Sequence, residues 1–72
     1  MTFGERLRMI REKAGLTQNQ LAKKTGIHRN SIGGYERDVN EPSIFILCCL
    51  ADVLGVSTDY LVGRKGRADN DE

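Results

Sequence analysis

Apolar residues return along this chain at helical spacing, and no stretch alternates with the two-residue period of a strand. Phe3, Leu7, Ile10 and Ala14 follow one another at intervals of four, three and four, one buried stripe of a helix whose other face carries Glu5, Arg6, Arg8, Glu12 and Lys13. Gly15 ends that segment. Thr17 opens a second helix with Gln20 three residues on, a T-x-x-Q capping box that satisfies two orphan N–H groups reciprocally. Leu21 and Ala22 face inward there, and the small Ala22 suits the close approach of two steeply crossing helices. Gly26 supplies the left-handed residue that ends this helix. A third helix is predicted from Arg29 to Arg37, with Ile32 and Tyr35 inward and Ile27 beneath the preceding turn. Asp38 to Pro42 form a loop. Ser43 caps a fourth helix, Ile44 to Leu54, closed by Gly55, and Ser57 caps a last short helix around Thr58 to Val62, which Gly63 stops. The expected fold is all-α, a five-helix domain over residues 1–63. Residues 64–72 hold no apolar side chain larger than Ala68 and are expected to form a disordered polar tail.

The stretch from Thr17 to Arg37 is therefore two short helices joined by a tight turn at Gly26. That is the layout of a helix-turn-helix, and it points to DNA. The net charge of +1 argues weakly for a nucleic-acid partner until its distribution is read: residues 1–37 carry +5 and residues 38–72 carry −4. A basic half that contains the helix-turn-helix is the footprint of phosphate contact.

Other classes find little support. Adjacent Cys48 and Cys49 cannot close an unstrained bridge with each other, so no disulfide scaffold is indicated and a reducing compartment fits. No apolar run approaches the ~18 residues of a membrane span, and the N-terminal MTFGERLRMIREK lacks the apolar region of a signal peptide, which makes a cytoplasmic location the expectation. A zinc site built on His28, Cys48 and Cys49 fails on spacing and lacks a fourth ligand. One histidine, no convergent acid pair and no phosphate-binding glycine loop leave nothing from which to build a catalytic site, and no cofactor is indicated. A chain of 72 residues is only marginally able to offset its conformational entropy alone, so oligomerisation would help.

Arg29 and Asn30 lie in the first turn of the third helix, where a helix-turn-helix presents side chains to base edges. Arginine bonds guanine O6 and N7 bidentately and asparagine does the same for adenine N6 and N7; the competing reading is surface contact with phosphate or with nothing. Ser31 adds a hydroxyl, and His28 either caps the helix weakly or reaches a phosphate.

Taken together, Arg11, L-T-Q at Leu16 to Gln18, L-A at Leu21 and Ala22, Gly26, S-I at Ser31 and Ile32, Y-E at Tyr35 and Glu36, Pro42, and L-A-x-x-L-G-V at Leu50 to Val56 form a specific set. In these residues the chain resembles the phage repressor and Cro type of helix-turn-helix domain, the Xre family, over residues 3–62. The resemblance implies a lambda-repressor-like five-helix domain that binds double-stranded operator DNA, usually as a symmetric homodimer, and regulates transcription as a repressor. It also implies that Gln18 contacts DNA phosphate, with Asn19 and Arg37 in the same DNA-binding set. It implies, too, that Arg11 and Glu36 form a structural salt bridge between the first and third helices.

Two departures from the family pattern qualify this. Gly33 and Gly34 stand on the third helix where the family has polar or larger side chains. Either the helix seats deeper in the groove, leaving specificity to Arg29, Asn30, Gln18 and DNA deformability, or the reader is simply looser. The fourth helix is apolar nearly all round. Ile44, Leu47, Cys48, Leu50, Ala51 and Leu54 account for its buried stripe, which leaves Phe45, Ile46 and Cys49 as a dimer surface, or as one that the C-terminal segment folds back to cover. An interaction module whose DNA contact is secondary is the alternative function.

Overall fold

The computed structural model describes residues 1–64. Five helices and no strand lie among them: α1 Phe3–Lys13, α2 Gln18–Thr25, α3 Arg29–Glu36, α4 Ile44–Leu54 and α5 Thr58–Leu61. The polar tail expected over 64–72 lies, apart from Arg64, outside the described residues.

Each helix contributes one fully buried side chain to a single core: Leu7 from α1, Leu21 from α2, Ile32 from α3, Leu50 from α4 and Leu61 from α5. Burying a side chain of this size stabilises by ~1.5–3 kcal/mol. Ile10, Ile27, Tyr35, Ala51, Leu54 and Val56 complete the cluster. Within it α1 packs on α3 and α5, α2 packs on α3 and α4, and α4 also meets α5. Ala14 is not part of the α1 stripe. It is the exposed C-cap of the helix, and the buried positions are Gly4, Leu7, Ile10 and Arg11.

Capping sets the starts. Thr2 and Glu5 form a complete capping box on α1, with the Glu5 N–H donating to Thr2 Oγ1 at 3.1 Å and the Thr2 N–H to Glu5 Oε1 at 2.9 Å. The T-x-x-E spacing is visible in the sequence as plainly as the box at Thr17. Ser43 and Ser57 cap α4 and α5 through their hydroxyls, as expected.

The rotation of α4 differs from the expectation. Ile44 and Phe45 are 81 % and 74 % exposed, and Cys48 is exposed with them. Ile46 and Cys49 are half-buried instead, and Ile46 packs against the core. The assignments of the two cysteines are thus exchanged, and the open apolar surface is Ile44, Phe45 and Cys48. At ~100° per residue, Leu47, Leu50, Ala51 and Leu54 span one side of the helix, and Ile44, Phe45, Cys48 and exposed Asp52 span the other. Asp52 is the polar residue that marks the outer row.

The tightest junction is between α1 and α3. A Cβ placed on Gly4 would stand 2.6 Å from the Tyr35 carbonyl oxygen and closer still to that of Glu36. Asp38, in the left-handed region at φ 59°, closes the same junction. Its carboxylate accepts from Thr2 Oγ1 at 2.6 Å and from the Gly4 N–H at 2.9 Å, so a residue beyond the end of α3 caps the start of α1.

Backbone cannot yield as a flexible side chain can, so Gly4→Ala should force the two helices apart. The expected cost is ~2–3 kcal/mol, read as a thermal midpoint lower by roughly 10 °C or more for a domain this small. An unchanged midpoint would mean that the α1–α3 junction is not this close.

Candidate nucleic-acid interface

The interface is assembled around one carboxylate. Glu36, at the end of α3, accepts from Arg11 Nε at 2.6 Å and Arg11 Nη2 at 3.0 Å, a bidentate pair whose side chains are only 9 % and 4 % exposed. The third guanidinium nitrogen, Nη1, donates to the Leu16 carbonyl at 2.8 Å. Hydrogen bonding to Glu36 holds the Arg11 pKa above its ordinary value, against the opposing effect of burial. The expected brace between the first and third helices is present in the structure.

Glu36 has a further partner. Gln18 Nε2 donates to Glu36 Oε1 at 3.0 Å, so the first residue of α2 is tied to the last of α3. Gln18 is half-buried by this arrangement rather than extended into solvent, and its side-chain oxygen is left facing the α3 surface near Gly33. The capping box of α2 is complete, with the Gln20 N–H on Thr17 Oγ1 at 3.0 Å and the Thr17 N–H on Gln20 Oε1 at 2.8 Å. It uses the third amide of the helix and leaves those of Gln18 and Asn19 available to an anion. An open depression at this helix start is lined by Arg11, Glu12, Thr17, Gln18, Asn19 and Arg29, together with Gly15 and Leu16.

The turn to α3 is held by two residues. Gly26, at φ 77°, donates its N–H to the Ala22 carbonyl at 2.8 Å. Thr25 Oγ1 donates to the Leu21 carbonyl at 2.8 Å and accepts from the Ile27 N–H at 3.1 Å, carrying the chain past the end of α2. The sequence reading missed Thr25, whose hydroxyl bridges helix and turn. His28 caps α3: its Nδ1 accepts from the Asn30 N–H at 3.0 Å. The accepting nitrogen must be unprotonated, which assigns the ring hydrogen of the neutral imidazole to Nε2 and turns it outward.

Arg29 and Asn30 are exposed on the first turn of α3 beside the start of α2, and Ser31 is half-buried behind them. Arg37 is the C-cap of α3 and exposed. Gly33 and Gly34 do not leave a bare strip on α3. Both are buried, because side chains from elsewhere lie over them: Arg37 and Gln18 over Gly33, and Asn40 over Gly34. Phe45, Ile46 and Cys49 lie apart from this surface, on α4.

Residues 7–61, which contain this two-helix unit, match the helix-turn-helix family. The chain belongs to the helix-turn-helix family. It is 44 % identical over 64 residues to the HTH-type transcriptional regulator ImmR of Bacillus subtilis, covering 89 % of this chain and 50 % of that protein. It is 38 % identical over 65 residues to the immunity repressor protein of Bacillus phage phi105, covering 90 % of this chain and 45 % of the repressor. The chain thus spans about half the length of these curated relatives. Among solved structures, the P22 c2 repressor in complex with a synthetic operator superimposes with a TM-score of 0.82 at 35 % identity, covering 88 % of this chain and 96 % of that one. The helix-turn-helix here is therefore of the phage-repressor type, and its five helices are those of that fold.

Removing one partner of the helix-turn-helix brace leaves the other charge buried and unpaired. Glu36→Leu should lower unfolding stability by ~3–5 kcal/mol in urea titration, whereas the double variant Arg11→Met/Glu36→Leu should recover part of that loss. A double variant as unstable as the single one would show that the cost lies in lost packing and not in the uncompensated charge.

Proposed function

We propose that this chain is a sequence-specific DNA-binding regulator of transcription, a repressor that occupies operator DNA as a homodimer. Residues 1–63 would act as the DNA-binding domain. One observation carries the reading: Arg29 and Asn30 stand exposed on the first turn of a helix fixed in place by a buried ion pair, next to the open amides at the start of α2. With α3 in the major groove, these two side chains meet base edges while the Gln18 and Asn19 amides meet phosphate. The positive charge of residues 1–37 supplies the sequence-independent attraction. The likeness to the P22 c2 repressor, whose structure includes operator DNA, supports the same orientation.

The dimer rests on α4. Ile44, Phe45 and Cys48 form an apolar surface that a second copy would cover, and a two-fold pair sets its reading helices about one DNA turn apart, ~34 Å. Ile46 and Cys49, being half-buried, stand at its margin.

In vitro selection of DNA with the purified protein should return a two-fold symmetric site. Arg29→Ala should relax one base position per half-site and weaken binding to the selected site by ~10-fold or more, with binding to random duplex changed much less. Phe45→Ser should move the protein toward monomer in analytical ultracentrifugation and abolish the preference for paired half-sites. No recurring site, together with a Phe45→Ser variant that releases a different protein, would favour an interaction module instead.

A further inference from the structure

On α3 the residues turned away from the core succeed one another around the helix as Arg29, Gly33, Arg37, Asn30 and Gly34, an arc of ~140° at ~100° per residue. Gly33 and Gly34 have ordinary helical backbone, without the positive φ of Gly26 or Gly55. Nothing in the local geometry demands glycine, and each weakens a helix relative to alanine. Despite their outward position, both are buried.

Gly34 is covered by the loop that follows α3. A Cβ on Gly34 would meet the Asn40 amide nitrogen at 2.8 Å, its Cγ at 3.8 Å and its Cβ at 3.9 Å, so the whole Asn40 side chain lies along the helix at this point. The loop is registered there by its backbone: the Val39 and Asn40 N–H groups both donate to the Gly34 carbonyl, at 2.9 and 3.4 Å. Asp38, one residue nearer to α3, is tied to the start of α1. The backbone that carries Asn40 is thus held against α3 while the residue stays exposed.

We propose that Asn40 reads a base edge in the major groove, taking the place of the side chain that Gly34 lacks. This rests on the DNA-reading function proposed above and names a specificity residue for it. The fitting base is adenine, whose N6 and N7 match the donor and acceptor of a carboxamide. Its place over Gly34, on the outward arc of α3, sets the amide among the groove-facing side chains. Gly34 serves this role by leaving room: a methyl group there displaces the far end of a short, exposed side chain, which swings away at little cost to the fold.

The test is a double-mutant cycle on DNA sites selected with the wild-type protein, at one fixed salt concentration. Asn40→Ala should weaken binding to the selected duplex roughly tenfold, leave binding to scrambled duplex unchanged, and relax one adenine position per half-site. Gly34→Ala should raise the thermal midpoint by ~4–8 °C and yet lose binding at that same position, because the amide is pushed aside. The double variant should bind no more weakly than either single one. Wild-type affinity and site preference in Asn40→Ala would overturn the proposal, as would an equal loss on every duplex, which marks a phosphate contact. Additive losses would separate Asn40 from Gly34 and overturn it too. A wild-type protein that selects no recurring site would give a different result, overturning the DNA-reading function itself and this inference with it.

Discussion

The ion pair between Arg11 and Glu36 is the constraint from which the rest of this structure is set. Each nitrogen of the buried Arg11 guanidinium makes a hydrogen bond: Nε and Nη2 donate to the Glu36 carboxylate, and Nη1 donates to the Leu16 carbonyl at the turn between α1 and α2. The carboxylate in turn holds Gln18. One charged pair therefore fixes α1, the following turn, the start of α2 and the end of α3 relative to one another. Such a pair is an uncertain contributor to net stability, since desolvation offsets much of its attraction. Its geometric contribution is clearer, because three elements share one carboxylate and none can shift without breaking a hydrogen bond in a site largely closed to water.

A second junction orients α3 along its length. Gly4 brings α1 against the Tyr35 and Glu36 carbonyls, and Asp38 reaches back to cap the same helix. Because Glu36 and Asp38 are two residues apart, both fix the C-terminal end of α3; its N-terminal end is fixed separately, by His28 and the Thr25–Gly26 turn. The exposed first turn, with Arg29 and Asn30, is thereby displayed from a helix anchored at both ends. Preorganisation of this kind is what a reading surface needs, since ordering a loose element on binding would subtract from affinity.

Much of this was legible in the sequence because it depends on local chemistry. Caps, helix-ending glycines and the period of α1 to α3 are properties of a few consecutive residues, and the Arg11–Glu36 pairing followed from the family resemblance. The rotation of α4 was not legible from periodicity, since a helix apolar on nearly every side has no stripe to read. Asp52 was the one local sign of which face lies outward. Gly4 and Asp38 could not be placed at all, because their roles exist only once α1 and α3 touch. The same holds for what covers Gly33 and Gly34, where the covering groups come from four residues on, from another helix and from a loop.

Those covered glycines change what the sequence implied about α3. Read alone, a G-G pair on a reading helix suggests a blank surface, deep seating or loss of specificity. In the folded chain the blank is filled by longer side chains rooted elsewhere, Arg37 at the helix end, Gln18 on α2 and Asn40 on the loop. Two of the three are tied to the anchors already described: Gln18 through Glu36, and Asn40 through a loop pinned by the Gly34 carbonyl and by Asp38. Gln18 and Asn40 are thus held over α3 by contacts between elements and not by α3 alone. In the proposed reading, selectivity would then depend on tertiary packing at the α1–α3 junction, and a substitution there would alter the DNA surface without touching it.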